Sequence, residues 1–173
     1  GARRNTKDNT PAVIHMEVVE GDTVDVQVAA KGGGSENKSK MVMLNPSDSI
    51  VDWVTKTVPT MGAGWCPPGM LGIGIGGTAE KAAVMAKEVL MDPIDIHELR
   101  ERGPGNRIEE LRLEIMDAVN RLGIGAQGLG GVTTVLDVKI MDHPTHAASL
   151  PVAMIPNCAA TRHAHFVLDG SGP

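Results

Sequence analysis

The chain has 173 residues, 42% hydrophobic and 21% charged, with a mean hydropathy of −0.04. That is enough for one domain with a real core, and it excludes a disordered tail or a collagen-like array. A net charge of −5 argues against a nucleic-acid binder, and the sequence holds no run of about 18 apolar residues that could span a membrane. Two widely separated cysteines are too few for a secreted disulfide scaffold and point to a reducing, cytoplasmic setting.

Residues 12–30 read as a β-hairpin. Ile14, Met16 and Val18 alternate with His15 and Glu17, Glu20-Gly21-Asp22 supplies the turn, and Val24, Val26 and Val28 alternate again. Met41 to Leu44 is a short apolar run that predicts a strand. Ser47-Asp48-Ser49 offers N-cap oxygens to a helix carrying Ile50, Val51, Val54 and Val58. Leu71 to Ile75 predicts a buried strand thinned by glycines, followed by a helix to about Leu90 with Ala82, Met85, Ala86 and Val89 on its apolar stripe.

Residues 107–122 carry the clearest helical pattern. Asn106 with Glu109 resembles a capping box, Ile108, Leu111, Ile115, Val119 and Leu122 repeat at helical spacing, and Gly123 offers a left-handed stop. Val132, Thr134, Leu136, Val138 and Ile140 predict a long strand, with shorter ones over 152–155 and 163–168. Interspersed helices and strands indicate an α/β (α+β) layered single domain with a mixed sheet and flanking helices. The expected domain covers 1–168. Residues 169–173 read as a linker, and the opening on Gly1-Ala2 is that of a piece excised from a longer protein. Its aromatics are two Trp and one Phe, against ten Met. Such a core is adaptable but lacks large anchors, and an excised piece would leave apolar surface and self-associate.

Several segments can carry chemistry. Lys31, Gly32, Gly33, Gly34, Ser35, Glu36, Asn37 and Lys38 follow a strand; consecutive glycine N–H groups can form an anion nest, and a tightly turned surface loop is the plain alternative. Gly72-x-Gly74-x-x-Gly77 formally matches a dinucleotide fingerprint, but its glycines lie within a strand, where close packing against a helix explains them. Cys66 and Cys158 both sit in Pro-containing, non-helical segments, which suits a ligand better than a core filler. His143, His146, His163 and His165 cluster late in the chain around Cys158 and could be drawn into a zinc site, although not at the spacing of a compact finger. His146 is the imidazole placed to meet a substrate, with an exposed loop histidine as its competitor. Glu98, Glu101, Glu109, Glu110 and Glu114 read as the solvent faces of helices and receive no chemistry.

Five motifs occur in order: Lys31–Lys38, Gly64-Trp-Cys-Pro-Pro-Gly69, Gly74-Ile-Gly-Gly-Thr-Ala-Glu-Lys81, Gly123–Gly131, and His143–Pro151 running through Asn157–His165. Together they resemble the α region of class I fumarate hydratase, an iron–sulfur hydro-lyase family that also contains L-tartrate dehydratase. The resemblance implies a [4Fe-4S] cluster on three cysteines, two of them Cys66 and Cys158, with the third outside this chain. It implies substrate contacts at His146, Lys31 and the backbone of Gly32, Gly33 and Gly34, and a dicarboxylate substrate, fumarate or malate. A cluster held by three thiolates rather than four leaves one Lewis-acidic iron for substrate. No acid–base pair is assignable within the chain, so the isolated piece is expected to be inactive. It is expected to need upstream and downstream regions, in a homo-oligomer that binds neither nucleic acid nor membrane. Tartrate dehydration, a zinc-binding domain and a non-catalytic interaction domain are the other readings.

Overall fold

The computed structural model describes residues 2–8 and 12–172. The chain forms two compact units divided at 26/27 and 165/166; residues 27–165 make the larger one, and the two outer segments the smaller.

In the larger unit four strands form a mixed sheet in the order β2-β5-β3-β4. Strand β3 (Gly69–Gly76) runs parallel to β4 (Val135–His143) and antiparallel to β5 (Leu150–Cys158), which is itself antiparallel to β2 (Lys40–Leu44). Central β3 is buried along its whole length. Leu71, Ile73 and Ile75 point to one face and join Val152 and Met154 of β5 in the main core. That core is closed by α2 (Ile50–Thr57), α4 (Ile96–Arg102) and α5 (Arg107–Asn120). Helix α3 (Ala79–Glu88) covers the opposite face, where Met70, Ala82, Ala86, Leu90, Ala153 and Ile155 pack together.

The glycines of β3 make that second layer thin. A Cβ at Gly72 would run into the carbonyl oxygen of Ala86, and one at Gly74 into that of Ala82. Helix backbone therefore lies directly on strand backbone. This is the close-packing explanation of the Gly72–Gly77 pattern.

Helix starts follow the expected caps. Ser49 Oγ accepts from the Asp52 N–H at 3.1 Å, and Asn106 Oδ1 accepts from the Glu109 N–H at 3.0 Å. The reciprocal half of the expected capping box is shifted by one residue, because the Glu109 carboxylate accepts from the Gly105 N–H at 2.7 Å. Gly123 turns the chain out after α5 at φ +68°.

Charged residues also enter the core. Asp137 and Lys139 on β4 are 0% and 3% exposed. Arg112 reaches from α5 across the free edge of β4, where its Nε donates to the Val138 carbonyl at 2.7 Å. Its guanidinium pairs with Asp95 and, at 3.2 Å, with Asp137. Lys139 Nζ pairs with Asp137 at 3.1 Å and with Asp95 at 3.5 Å, and also donates to the Pro93 carbonyl. Two cations and two carboxylates thus cap the sheet edge, where an unpaired row of backbone groups would otherwise invite another strand. Burial works against ionised Arg112, yet its bonds to Asp95 and Asp137 prevail and hold its pKa above the usual arginine value.

Three expectations need correction. The hairpin over 12–30 has only its second arm, β1 (Val24–Ala29); residues 12–19 are irregular and exposed, Val18 at 92%. The partner of β1 is instead β6 (His163–Leu168), from the other end of the chain, in a separate two-stranded sheet. Period-two alternation marks a segment able to bury one face, but a strand forms only where another strand completes its hydrogen bonds. The long strand begins at Val135, not Val132, because the Asn120 side chain takes the Thr134 and Val135 N–H groups at 2.7 and 2.9 Å and starts the ladder there. The third is the open anion nest at the glycine loop, where residues 33–36 instead form a tight helical turn, the plainer of the two readings.

Candidate functional site

Residues 33–36 are not an open nest but a single helical turn, α1 (Gly33–Glu36). Ser35 nucleates it: its Oγ donates to the Gly32 carbonyl at 3.0 Å and accepts from Lys31 Nζ at 2.9 Å. The turn is pressed against the segment leading to Cys66, since a Cβ on Gly34 would stand 2.6 Å from the Gly64 carbonyl oxygen. Lys31 also pairs with Glu36 at 3.4 Å, and Glu36 takes Lys87 of α3 as well. Burial pulls the Lys31 ammonium below the usual lysine range; Glu36 opposes this, and the positive charge of Lys87 acts in the same sense as burial. In Glu36, burial acts to raise the carboxyl, but its bonds to Lys87 and Lys31 win and hold it low.

Both cysteines are free thiols. Cys158 ends β5, and its register partner on β3 is Gly69. Cys66 lies three residues before Gly69, so its Cα is within about 11 Å of that glycine along the chain. Between them runs Pro67-Pro68, joined by a cis peptide bond. Cys66 itself has φ +58°, a left-handed conformation that favours glycine, and its N–H donates to the Ala63 carbonyl at 2.9 Å. The Trp65 ring lies against Gly69, where a Cβ would meet Cζ3 at 2.9 Å. One end of the sheet therefore collects Lys31, Gly32, Gly33, Gly34, Cys66 and Cys158.

His146 is elsewhere. Gly76, at the other end of β3, pairs with His143, and the loop to His146 follows it. Eight strand residues separate the ends, roughly 20 Å at the usual rise. There His146 lines an open hollow of about 740 Å³ with Gly77, Lys81, His143 and Thr145, and its Nδ1 accepts from the Ala148 N–H at 3.1 Å. His163 and His165 lie on β6. Among the described residues no three His, Cys, Asp or Glu side chains gather into a metal-holding group, so the histidines expected of a zinc site are dispersed.

The cysteine end has a further property that its sequence did not announce. Three buried side-chain polar atoms have no partner among the described residues: Ser39 Oγ, Trp65 Nε1 and Asn157 Nδ2. Trp65 precedes Cys66 and Asn157 precedes Cys158, whereas Ser39 leads into β2, whose first residue Lys40 pairs with Met154 midway along β5. Native proteins seldom leave such groups unsatisfied. Two thiols at one end, each preceded in the chain by a residue with an unsatisfied buried N–H donor, fit a sulfur-rich group. Adjacency to the cysteines was the signal that could have singled out Trp65 and Asn157. Arg162, four residues after Cys158, was equally available to that argument.

Comparison with known proteins gives a consistent result. Residues 2–167 match the family model described as fumarate hydratase (fumerase). The chain is 41% identical over 167 residues to the "Putative L(+)-tartrate dehydratase subunit alpha" of Methanocaldococcus jannaschii, covering 94% of this chain and 56% of that protein. It is 33% identical over 162 residues to the L(+)-tartrate dehydratase subunit alpha of Escherichia coli, covering 92% and 52%. The protein of the same name from Shigella sonnei is 32% identical over the same length. The chain thus spans about half the length of the curated relatives it matches.

Proposed function

The chain belongs to the fumarate hydratase family of hydro-lyases, and from that premise we propose that it carries the cysteine-bearing half of an iron–sulfur active site. The activity proposed for the whole protein is reversible hydration of fumarate to L-malate. The observation that carries this reading is the register of Gly69 with Cys158, which brings Cys66 and Cys158 to one end of the sheet. These two thiolates would hold the cluster, with a third cysteine from outside the chain. When bound, such a cluster supplies an open, Lewis-acidic iron for a substrate hydroxyl and carboxylate.

The chain's own residues bind and orient. Lys31, steadied by Ser35 and Glu36, offers positive charge beside Cys158. Of the turn's glycines, Gly34 packs on the Gly64 carbonyl, while Gly32 and Gly33 leave room for close approach of an anion. Trp65, buried under Gly69, keeps water from the inner side of the cysteines. Elimination needs a positioned acid and base, which the remaining half of the protein supplies, so the isolated chain is inactive. At roughly 20 Å of strand from the cysteine end, His146 reaches a substrate there only from a second copy, which the expected homo-oligomer provides. Residues 1–168 are the corresponding part of the family's cluster-binding domain, with 169–172 as linker. Pro173 lies outside the described residues. No described helix is long and apolar enough to cross a membrane.

Tartrate dehydration is the second reading, favoured by the names of the relatives. The assembled protein, loaded anaerobically, is assayed with fumarate, L-malate and L-tartrate. Turnover of fumarate and malate with a kcat/KM at least tenfold above that of tartrate supports the first reading. The reverse ratio replaces it with the second, and turnover of none of them removes the hydro-lyase reading.

A further inference from the structure

Two cations at the cysteine end have no carboxylate partner among the described residues. Lys31 and Lys87 share Glu36, but Arg162 and Lys38 share nothing of the kind. Arg162 is anchored to the chain before the glycine turn. The Ala30 N–H donates to its carbonyl at 2.9 Å, and its own Nε donates back to the Ala30 carbonyl at 3.1 Å. Neither terminal guanidinium nitrogen is bonded among the described residues, and Nη2 is only 3.8 Å from where a Cβ on Gly32 would stand. Lys38 lies against the segment leading to Cys66, its Cε 2.8 Å from where a Cβ on Gly64 would stand. In a chain of net charge −5, this corner gathers four cations around one carboxylate, Glu36.

A guanidinium fixed at Nε, with its fork free, suits a carboxylate bound through two parallel N–H···O bonds. Such a group reads planar anions and rejects neutral analogues, whereas a flexible ammonium supplies only charge. We infer that Arg162 binds one carboxylate of the dicarboxylate substrate, with Lys38 adding positive potential on the Cys66 side. This makes Arg162 a specificity-determining residue. The inference rests on reading the cysteine end as a substrate site, and its test does not depend on turnover.

Succinate, an unreactive dicarboxylate, and butyrate, its monocarboxylate counterpart, are titrated by calorimetry into the assembled protein and its Arg162→Gln and Arg162→Lys variants. Arg162→Gln should weaken succinate binding tenfold or more at unchanged iron content, and butyrate binding much less. Arg162→Lys should recover part of the loss, and in any active preparation KM should rise more than kcat falls. Wild-type succinate affinity in Arg162→Gln, or no succinate binding by the wild-type protein, overturns the inference. If Arg162→Gln fails to fold, Arg162→Lys decides: intermediate affinity supports the fork, and wild-type affinity contradicts it. Succinate binding through Arg162 in a protein that hydrates no dicarboxylate would overturn the hydro-lyase reading and leave this one standing.

Discussion

At the free edge of β4 the buried charges of Arg112, Asp137 and Lys139 all meet partners; at the Cys66–Cys158 end of the same sheet, Trp65 and Asn157 bury polar atoms that meet none among the described residues. The contrast separates two kinds of buried polarity. The ion cluster is complete within this chain: two cations, two carboxylates and two backbone carbonyls account for one another, and their role is to close the sheet edge. The cysteine end differs: among the described residues it keeps orphaned donors, a left-handed Cys66 and two cations with no carboxylate partner. On the function proposed above, a ligand from outside the chain completes it.

Two substitutions sharpen that contrast. The larger effect belongs to Asp137→Ala, which leaves Arg112 and Lys139 buried without their shared carboxylate. Breaking one partner of such a cluster should cost about 3–5 kcal/mol, read as a lowered denaturant midpoint of this chain. A loss below about 1 kcal/mol, the scale of an exposed pair, would mean that the cluster is solvated and the contrast false.

Asn157→Leu should act in the opposite sense and more weakly. It removes a buried donor with no partner and keeps a similar volume, so unfolding of this chain should become harder by about 1 kcal/mol. In the assembled protein the same change should reduce activity, as expected where stability and function compete for one position. A destabilisation as large as that of Asp137→Ala would show that Asn157 is already satisfied.

Legibility in the sequence followed the range of the interactions. Helix α5 could be read because its cap, its apolar repeat and its closing glycine all lie within one short stretch. The glycine-thinned β3 could be read as buried because nothing polar interrupts it. The first arm of the hairpin was misread because its alternation is local, whereas β1 finds its partner more than a hundred residues away. Asp137 and Lys139 look like the wet face of a strand; only Arg112 and Asp95, from separate elements, make their burial tolerable. For the candidate site, motif order singled out Cys66, Cys158, Lys31 and the glycine turn, which the fold brings to one end of the sheet. The sheet register that brings Cys158 to Gly69 and sends His143 to Gly76 carries no local signature, so the separation of His146 from the cysteines emerged only in three dimensions.

The central claim is that the cysteine end of the sheet is a ligand site awaiting its remaining parts. The most direct test is to load the assembled protein anaerobically with iron and sulfide and to count both per chain in the wild type and in Cys66→Ser, Cys158→Ser and His146→Ala. The account predicts a bound iron–sulfur chromophore that either serine variant loses and His146→Ala retains, because His146 sits at the far end of β3. Serine variants that hold as much iron and sulfide as the wild type, or a chromophore lost with His146 and kept without the cysteines, would contradict it.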